Sequence, residues 1–414
     1  MKRVVVTGYG AVTALGETAN ESWNAIMSRQ VGYKFLENPG PNIRARYFAF
    51  LPNRRERYGW IPKGIMRCLS PFARNAIVAA RESLAHAFGD PAAIDEHYAP
   101  HERATIIGTG WGGIDASNSI HASYIETGLG DAFGSLATMP SVATGACSML
   151  WKMRGYQSTV NAACATGTIA IGDAFELIRS GRASVALAGG SESLRESSNV
   201  WNIDVLSALS KETSDASRAC CPFDRRRSGF VLAEGAAVLC LEDLDRALKR
   251  NARILGEITG YGNFSDAFDF TAPAEDMAAR VLSIEAALKQ AKRKPGEIKY
   301  INAHGTSTPL NDLNETNSIK AALGPAAYEV PISSTKSYSG HLISAAGSFE
   351  TIVCLQAMQN GVIPATTNLL EADPNCDLDY VPNDHRDGQA LDVVLNLSFG
   401  FGGANAALIL ERLG

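Results

Sequence analysis

The sequence predicts an α/β fold in which short buried strands alternate with amphipathic helices. Runs of four or five apolar or β-branched residues repeatedly end at glycine or at a polar turn, which is typical of buried strands with sharp C-terminal turns. Longer segments between these runs place apolar residues at i, i+3 and i+4, the spacing of one helix face. Alternation of the two patterns favours a layered α/β architecture.

The predicted elements follow this alternation along the whole chain. The predicted strands are residues 3–7, 104–107, 185–188, 300–302 and 393–396. The predicted helices are residues 71–88, 166–179, 276–291, 314–323 and 344–358. A weak duplication relates ATIIGTG and VALAGGSE to KYINAHGTST and VVLNLSFGFGGAN. We therefore predict an N-terminal unit of residues 1–250 and a C-terminal unit of residues 251–414.

Composition excludes several classes of protein. The chain has 414 residues, 38 basic against 43 acidic side chains and 46% hydrophobic residues, so a disordered or collagen-like chain is excluded. No basic block indicates nucleic acid or an anionic membrane, and no apolar run reaches the ~20 residues that span a bilayer. The apolar run at residues 4–6 is too short for a signal peptide. Eight scattered cysteines favour a reducing compartment over a disulfide scaffold, so we expect a cytoplasmic protein.

Cys164 is the first candidate for chemistry. It follows Asn161-Ala162-Ala163 and precedes a helix-forming run. A thiol at a helix N-terminus lies at the positive end of the helix dipole, which can lower its pKa and make it a thiolate nucleophile. The alternative is a small buried hydrophobic residue.

His304 and His341 are the second candidates. Each lies among glycine and hydroxyl residues, in NAHGTSTPLND and STKSYSGHLISAAG. Neither segment has the spacing of a zinc site, so we predict no metal. Two imidazoles and one thiol are the parts of a thiol-nucleophile enzyme, and two structural histidines are the alternative.

Two glycine-rich segments carry further hypotheses. Residues 108–113, GTGWGG, fit the GxGxxG pattern after a strand, so a nicotinamide oxidoreductase is a rival function. The nearby acids Glu126 and Asp131 lie in a glycine-containing loop rather than at the end of a second strand, which weakens that hypothesis. Residues 399–405, FGFGGAN, follow the last predicted strand, where freed backbone N–H groups can build an oxyanion hole. The adjacent Cys220 and Cys221 are expected to be packed thiols.

Six segments in order resemble the elongating β-ketoacyl-acyl carrier protein synthases of the thiolase-like superfamily. These segments are KRVVVTGYGAVTALG, ACATG, PFDRRRSGFVLAEGAA, HGTSTPLND, STKSYSGHLISAAG and SFGFGGANAALIL. The match covers essentially the whole chain and is closest to synthase II and to ketosynthases of bacterial type II polyketide systems. It implies a five-layered α-β-α-β-α sandwich built from two similar halves.

The resemblance also implies a reaction. Cys164 would take an acyl group from acyl carrier protein, and malonyl-carrier protein would then lose CO₂ and condense with that group to give a 3-oxoacyl-carrier protein. The substrates travel on phosphopantetheine, so no separate cofactor is expected. The pathway is fatty acid elongation or, as the alternative, a type II polyketide or aryl polyene pathway.

Residue by residue, the resemblance assigns roles to the matching positions. Cys164 is the nucleophile, His304 and His341 hold the malonyl thioester carbonyl, and Lys336 and its partner Glu350 order the charge around them. Backbone N–H groups of Cys164 and Phe401 form the oxyanion hole, and Phe401 gates the acyl pocket. The remaining assignments are substrate binding by Thr306, Thr308, Trp111 and Gly402, and structural support by Asp312 and Glu315, as loop anchors or around a structural ion.

Two departures from the family pattern change the expectations. Trp111 stands where a smaller aliphatic residue is usual, so we expect it to limit or reshape the acyl tunnel. The carrier-docking helix is only sparsely basic, leaving Lys63, Arg67 and Arg74, and the run 225–227 adds three arginines before Ser228. We expect an acyl carrier protein partner and a homodimer, or a heterodimer with a chain-length factor. A non-catalytic subunit with a structural Cys164 is the remaining alternative.

Overall fold

The computed structural model describes residues 1–413. Its strands are β1 Val4–Val12, β2 Lys34–Phe35, β3 Tyr47–Ala49, β4 Arg103–Gly108, β5 Gln157–Ser158, β6 Val185–Glu192, β7 Leu232–Ala233, β8 Gly235–Asp243, β9 Gly256–Ser265, β10 Tyr300–Asn302, β11 Ile332–Ser333, β12 Val393–Gly400 and β13 Ala404–Glu411. Its helices are α1 Ala19–Met27, α2 Lys63–Met66, α3 Pro71–Phe88, α4 Ile94–His97, α5 Ile114–Thr127, α6 Gly134–Thr138, α7 Val142–Leu150, α8 Thr166–Arg179, α9 Ser197–Asp204, α10 Ala216–Ala219, α11 Leu244–Lys249, α12 Ala278–Ala291, α13 Pro309–Leu323, α14 Lys336–Ser339 and α15 Ala346–Asn360.

The main sheet consists of two halves with the same strand pattern. Its order is β11-β10-β12-β13-β9-β1-β8-β6-β4-β5, and β1 pairs antiparallel with β9 at the centre. Outward from that pair, each half continues with two antiparallel pairings and then two parallel pairings. The predicted boundary between residues 250 and 251 falls between α11 and β9 and stays a prediction.

Helices lie in three layers relative to the two sheet halves. The central helices α8 and α15 contact each other, and they contact strands of both halves. The helices α3 and α7 cover the outer face of the first half, and α12 and α13 cover the outer face of the second. The layered α/β prediction is confirmed, and the site described below lies at the N-terminal ends of the central helices.

The first strand extends beyond its predicted end. The prediction placed a turn at Gly8, but β1 runs to Val12 through Gly8 and Gly10. A Cβ atom on Gly8 would lie 2.2 Å from the Ser83 carbonyl oxygen, and one on Gly10 would lie 2.2 Å from that of Ala79. These glycines therefore do not mark a turn; they let α3 pack directly on the strand.

The longer helices agree closely with the predictions. The helix predicted at residues 71–88 and the helix predicted at residues 166–179 have the predicted bounds. The helix predicted to begin at residue 314 begins five residues earlier, at Pro309, because the Thr308 side chain accepts a hydrogen bond from the Asn311 amide and caps the helix. Among residues 1–413, no helix is both long and apolar enough to cross a bilayer.

Candidate active site

Cys164 lies in a strained turn at the start of the central helix α8. The turn is a single 3-10 segment, Ala163–Ala165, and Ala163 has a left-handed φ of 46°. A left-handed φ is costly for a residue with a Cβ, so the surrounding contacts must hold this turn in place. Gly167 allows the approach of α15, because a Cβ there would lie 2.8 Å from the Ser348 backbone nitrogen. The close packing of α8 and α15 thus fixes the position of the thiol.

The structure brings the thiol and both predicted histidines together. The Cys164 Sγ atom and one ring nitrogen from each of His304 and His341 lie within 4.8 Å of one another, and all three residues are buried. The two imidazole rings meet edge to face, with centroids 5.4 Å apart. His304 follows β10 and His341 follows α14, so the second half of the chain supplies both rings. The same spacing would admit a metal ion, and the absence of a metal stays a prediction.

Both imidazoles are neutral near physiological pH. Burial, followed by the positive charge of Lys336, holds the pKa of His304 and of His341 well below the usual range. The Nδ1 atom of His341 accepts a hydrogen bond of 3.3 Å from the Ile343 amide. The proton of this neutral ring is therefore on Nε2, which is buried and has no hydrogen-bond partner among residues 1–413. His341 can donate this N–H to an oxygen placed in the pocket.

The prediction of a lowered Cys164 pKa is wrong in sign. Burial raises the pKa of the Cys164 thiol to about 12, and the opposing effects of Lys336 and of the Phe401 backbone N–H are smaller. The helix-dipole argument considered one favourable interaction and omitted the loss of water around the sulfur. The free site therefore holds a thiol at neutral pH. The Phe401 N–H points at the sulfur, in the place predicted for an oxyanion hole.

A buried ion pair lies behind the three reactive groups. The Lys336 ammonium pairs with the Glu350 carboxylate, and both side chains are almost fully buried. The charge of Lys336 lowers the pKa of Cys164, His304 and His341, although burial has a larger effect on each. Lys336 therefore contributes electrostatically to all three groups. Its role in the reaction stays a prediction.

Glu315 and Asp312 anchor the loops of the site. The Glu315 carboxylate accepts hydrogen bonds of 2.7 Å from the backbone N–H groups of His304 and Gly305. Asp312 accepts one of 3.0 Å from the Phe223 backbone. Burial raises the pKa of Glu315 to about 7. The Glu315 contacts fix the His304 loop on α13, and the predicted choice between loop anchors and a structural ion stays a prediction.

A pocket of about 380 Å³ leads from the surface to the thiol. Thr306 and Thr308 lie on its wall, and their hydroxyl oxygens are 2.9 Å apart. Phe399 and Phe401 contribute aromatic surface near Cys164. The wall of the pocket therefore offers hydroxyl groups that can bind amide groups of a ligand. Its inner end is an apolar, buried reaction centre.

Trp111 and Gly402 lie outside the described wall of this pocket. Trp111 is half-buried and packs against the apolar cluster that contains Cys164, Phe230 and Ile343. Gly402 is exposed, and its backbone N–H donates to the Phe270 carbonyl oxygen at 2.7 Å. Substrate binding by these two residues stays a prediction.

Two residues that the sequence reasoning missed shape the site. Gly400 ends β12, and a Cβ there would lie 2.6 Å from the Ala162 carbonyl oxygen and 3.2 Å from the Cys164 nitrogen. Glu192 ends β6, is fully buried and accepts hydrogen bonds from the Gly110 N–H at 2.8 Å and the Ser344 hydroxyl at 2.7 Å. The FGFGGAN and VALAGGSE segments contain both residues, but only the tertiary contacts reveal their roles.

The GTGWGG loop does not have the features of a dinucleotide site. Its Gly110 N–H donates to the buried carboxylate of Glu192, as does the N–H of Trp111. A Cβ on Gly108 would lie 2.2 Å from Thr166, so this glycine serves the packing of α8. A pyrophosphate needs free N–H groups, and here a carboxylate already occupies them.

The arginine run at residues 225–227 is not the free basic patch that the sequence suggested. Arg227 is buried and pairs with Asp373 at 2.6 Å, and Arg226 pairs with Asp224 at 2.7 Å. Arg225 is exposed but pairs with Glu371. Adjacency in sequence could not reveal these acidic partners. Lys63 and Arg67 remain exposed beside a surface groove.

Comparisons with known proteins agree with this geometry. The family profiles described as "Beta-ketoacyl synthase, N-terminal domain" and "Beta-ketoacyl synthase, C-terminal domain" match residues 1–247 and 255–370. The 3-oxoacyl-[acyl-carrier-protein] synthase 2 of Synechocystis is 35% identical over 413 residues, which cover 99% of this chain and 98% of that protein.

Solved structures give the same result. A type II polyketide ketosynthase bound to its acyl-carrier protein and a hexaketide aligns over 100% of both chains, with a TM-score of 0.91 and 29% identity. The ishigamide ketosynthase/chain length factor aligns over 100% of both chains, with a TM-score of 0.90 and 28% identity. The chain belongs to the β-ketoacyl synthase family, and its thiolase-like fold is the one expected from the sequence.

Proposed function

We propose that this chain condenses an acyl group, held on Cys164, with malonyl-acyl carrier protein to give 3-oxoacyl-acyl carrier protein and CO₂ in fatty acid elongation. The observation that carries this proposal is one buried pocket containing a thiol, two neutral imidazoles and the Phe401 N–H. Its membership of the β-ketoacyl synthase family supports the same reaction. The substrates arrive on phosphopantetheine, and no other cofactor enters the chemistry.

The first half-reaction is a thioester exchange. The Cys164 sulfur attacks the acyl thioester carbonyl carbon, and the resulting oxyanion accepts hydrogen bonds from the backbone N–H groups of Cys164 and Phe401. Collapse breaks the bond to the pantetheine sulfur. The proton released from the Cys164 thiol balances the proton gained by the departing pantetheine thiol.

The second half-reaction uses the neutral imidazoles. The malonyl thioester carbonyl oxygen accepts N–H donation from His304 and His341 while the C–C bond to the carboxylate breaks and CO₂ leaves. The electron pair forms an enolate that attacks the Cys164-bound acyl carbonyl carbon. The Cys164 sulfur then departs and takes up one proton. Neutral rings suit this step because burial keeps both histidines unprotonated.

Reconstitution with purified acyl carrier protein tests the proposal. Acyl-carrier protein and malonyl-carrier protein are incubated with the enzyme, and the carrier is analysed by intact mass. We expect a 3-oxoacyl-carrier protein two carbons longer than the primer, with one CO₂ released per product. His341→Ala should keep the acylation of Cys164 and lose the condensation. Transfer of the primer without any C–C bond formation in the wild-type enzyme would refute the proposal.

The carrier protein is proposed to dock near Lys63 and Arg67. Both cations are exposed beside the groove that also contains Tyr58 and Met66. The relative solved with its acyl-carrier protein supports a carrier partner for this fold. Arg67→Glu should raise the KM for every carrier-bound substrate, whereas an unchanged KM would remove this surface from consideration.

A second chain is proposed to cover the edge of the sheet at β5. This strand ends the sheet, and nearby segments expose apolar side chains. The exposed residues are Tyr124, Ile125, Leu129, Leu136, Met139 and Met149. A homodimer fits this edge, and light scattering of the purified chain should give twice the monomer mass of 44.1 kDa.

The second candidate function is a ketosynthase subunit of a type II polyketide or aryl polyene pathway, paired with a chain-length factor. The likeness to the ishigamide ketosynthase/chain length factor favours it. A chain that is monomeric alone and active only with a co-expressed homologue lacking the cysteine would support this candidate.

Trp111→Ile tests the proposed limit on the acyl tunnel, since longer acyl groups should then be accepted.

A further inference from the structure

A buried cation without an acidic partner among residues 1–413 lies on the wall of the active-site pocket. Arg280 belongs to the first turn of α12, is 5% exposed and lines the pocket with Cys164 and His304. Its Nε and Nη1 atoms are buried and donate no hydrogen bond within the described residues. Residues 1–413 place no carboxylate oxygen within 4.0 Å of its guanidinium nitrogens. A buried charge without a counter-ion destabilises the folded protein.

The acids around Arg280 are engaged with other groups. The Glu315 carboxylate holds the backbone of His304 and Gly305. The Asp312 carboxylate holds the Phe223 backbone. Asp266 accepts a hydrogen bond of 2.8 Å from the Asn405 side chain. None of these carboxylates pairs with Arg280, so its charge is left for an anion that enters the pocket.

The position of Arg280 relative to His304 limits what that anion can be. The guanidinium carbon of Arg280 lies 4.2 Å from the centroid of the Phe399 ring. The His304 ring packs edge to face on the same phenyl ring, with centroids 5.8 Å apart. Arg280 and the imidazole proposed to hold the extender's thioester carbonyl therefore pack on the same aromatic side chain. In a malonyl thioester, the carboxylate carbon is only two bonds from that carbonyl carbon.

We propose that Arg280 binds the carboxylate of the malonyl extender before CO₂ leaves, an inference that rests on the proposed function. A saturated acyl group has no such anion, so Arg280 distinguishes the substrate of the second half-reaction from that of the first. The phosphate of the phosphopantetheine arm is the other anion that enters this pocket. That phosphate is separated from the thioester by the length of the arm, whereas Arg280 is buried next to the reaction centre.

The chemistry predicts how Arg280 contributes to the rate. The guanidinium stabilises the carboxylate in the bound ground state, and that interaction is lost as the carboxylate becomes neutral CO₂. Its removal should therefore weaken binding of malonyl-carrier protein without lowering the rate of decarboxylation from the bound state. The electron pair left on the extender becomes the enolate, which the histidines stabilise.

The test separates the two half-reactions in Arg280→Met and Arg280→Lys. Cys164 is first acylated with acyl-carrier protein, and discharge is then followed against the concentration of malonyl-carrier protein. Arg280→Met should acylate at the wild-type rate and require ~10–100-fold more malonyl-carrier protein for half-maximal discharge. Arg280→Lys should restore part of this loss, because it keeps the charge and loses the planar fork.

Thermal unfolding supplies a second readout. Because Arg280 is unpaired in the free protein, Arg280→Met should have a Tm equal to or above that of the wild type. Arg74→Met is the matched control, since the Arg74 Nε is also buried and has no hydrogen-bond partner within the described part of the chain, but Arg74 does not line the pocket. Arg74→Met should change the concentrations of acyl- and malonyl-carrier protein needed for the half-maximal rate by the same factor.

Three results would overturn the role of Arg280. Wild-type discharge kinetics in Arg280→Met would show that no carboxylate is held there. Equal losses of acylation and discharge, with a lower Tm in both variants, would assign Arg280 to packing. A raised requirement for acyl-carrier protein as well as malonyl-carrier protein, at unchanged Tm, would assign it to the phosphate. Failure of the wild-type enzyme to form any acyl-enzyme would instead refute the proposed function.

Discussion

The turn that carries Cys164 has a counterpart in the second half of the molecule, the turn Ile343–Ala345 that carries Ser344. Each is a single 3-10 turn before a central helix, α8 or α15. Each begins with a left-handed residue, φ 46° at Ala163 and 49° at Ile343. The Cys164 turn packs against β12 of the second half, and the Ser344 turn packs against β6 of the first.

The two turns differ in the residue that ends the opposing strand. Gly400 ends β12 and lets that strand approach the backbone of the Cys164 turn closely, while the Cys164 sulfur faces the Phe401 N–H and the pocket. Glu192 ends β6, and its carboxylate accepts a hydrogen bond from the Ser344 hydroxyl. One copy of the turn therefore presents a reactive group to a ligand, and the other uses its group as a structural link. The backbone of each turn places a side chain at the start of a central helix. The residue that ends the opposing strand determines whether that side chain is accessible to a ligand.

The largest effect is expected when the two turns are made chemically alike. Cys164→Ser replaces the thiol with the hydroxyl of the other turn and should lower acylation by at least ~10³-fold. A hydroxyl is much harder to deprotonate, and His341 cannot act as its base because the Ile343 amide occupies the acceptor nitrogen. Acyl transfer is measured by intact mass. Ser344→Ala is the control and should keep wild-type acylation. Equal losses in both variants would contradict the claim that only the Cys164 turn carries a reactive group.

A smaller effect is expected when a side chain is added at the contact between β12 and the Cys164 turn. Gly400→Ala places a Cβ 2.6 Å from the Ala162 carbonyl oxygen and should displace the donors around the sulfur. Loss of one oxyanion-hole donor lowers the rate by ~10²–10³-fold, and we expect a decrease of that order in acylation. Gly296→Ala is the control, since its added Cβ meets nothing within 4 Å. Wild-type acylation kinetics in Gly400→Ala would show that this glycine is not needed to position the donors around the sulfur.

Glu192, which contacts the Ser344 turn, should make the free energy of unfolding depend on pH. Burial raises the pKa of Glu192 from 4.5 to about 7. Between these values the folded chain keeps a proton that the unfolded chain releases, so this group lowers the free energy of unfolding as pH rises through the window. Glu192→Gln lacks the titration. The stability of the variant relative to the wild type should therefore increase by ~1–3 kcal/mol from pH 4.5 to pH 8.

Denaturant titrations of both proteins at several pH values measure this difference. The buried histidines contribute equally to the two proteins, so their titration cancels in the comparison. A difference that stays constant with pH would show that the Glu192 carboxyl titrates normally, and would contradict its closed, dry environment.

Local sequence patterns predicted much of the fold and the identity of the reactive groups. The grouping of Cys164 with His304 and His341 came from the resemblance to the β-ketoacyl-acyl carrier protein synthases, because these residues lie far apart in the sequence. The helix at residues 166–179 follows from periodicity, which depends on neighbours along the chain. The same signals misplaced the end of β1, because Gly8 and Gly10 serve a contact with α3 that is distant in sequence.

The parts that could not be predicted depend on burial and on distant partners. The sign of the Cys164 pKa shift follows from the desolvation of the sulfur, which no motif encodes. Arg227 looked like a free cation because its partner Asp373 is distant in the sequence. Glu192 lies within VALAGGSE and Arg280 within no motif, but no sequence pattern marks either role, since one is defined by the groups it contacts and the other by the acidic partner it lacks.

Moving the thiol from one turn to the other tests the central claim most directly. Cys164→Ala and the double variant Cys164→Ala/Ser344→Cys are incubated with acyl-carrier protein, and the mass of each protein is measured beside that of the wild type. The account predicts one acyl group on the wild type and none on either variant, because the second turn is closed by Glu192 and fully buried. Acylation of the double variant at residue 344 would contradict the claim that the opposing strand selects the reactive turn.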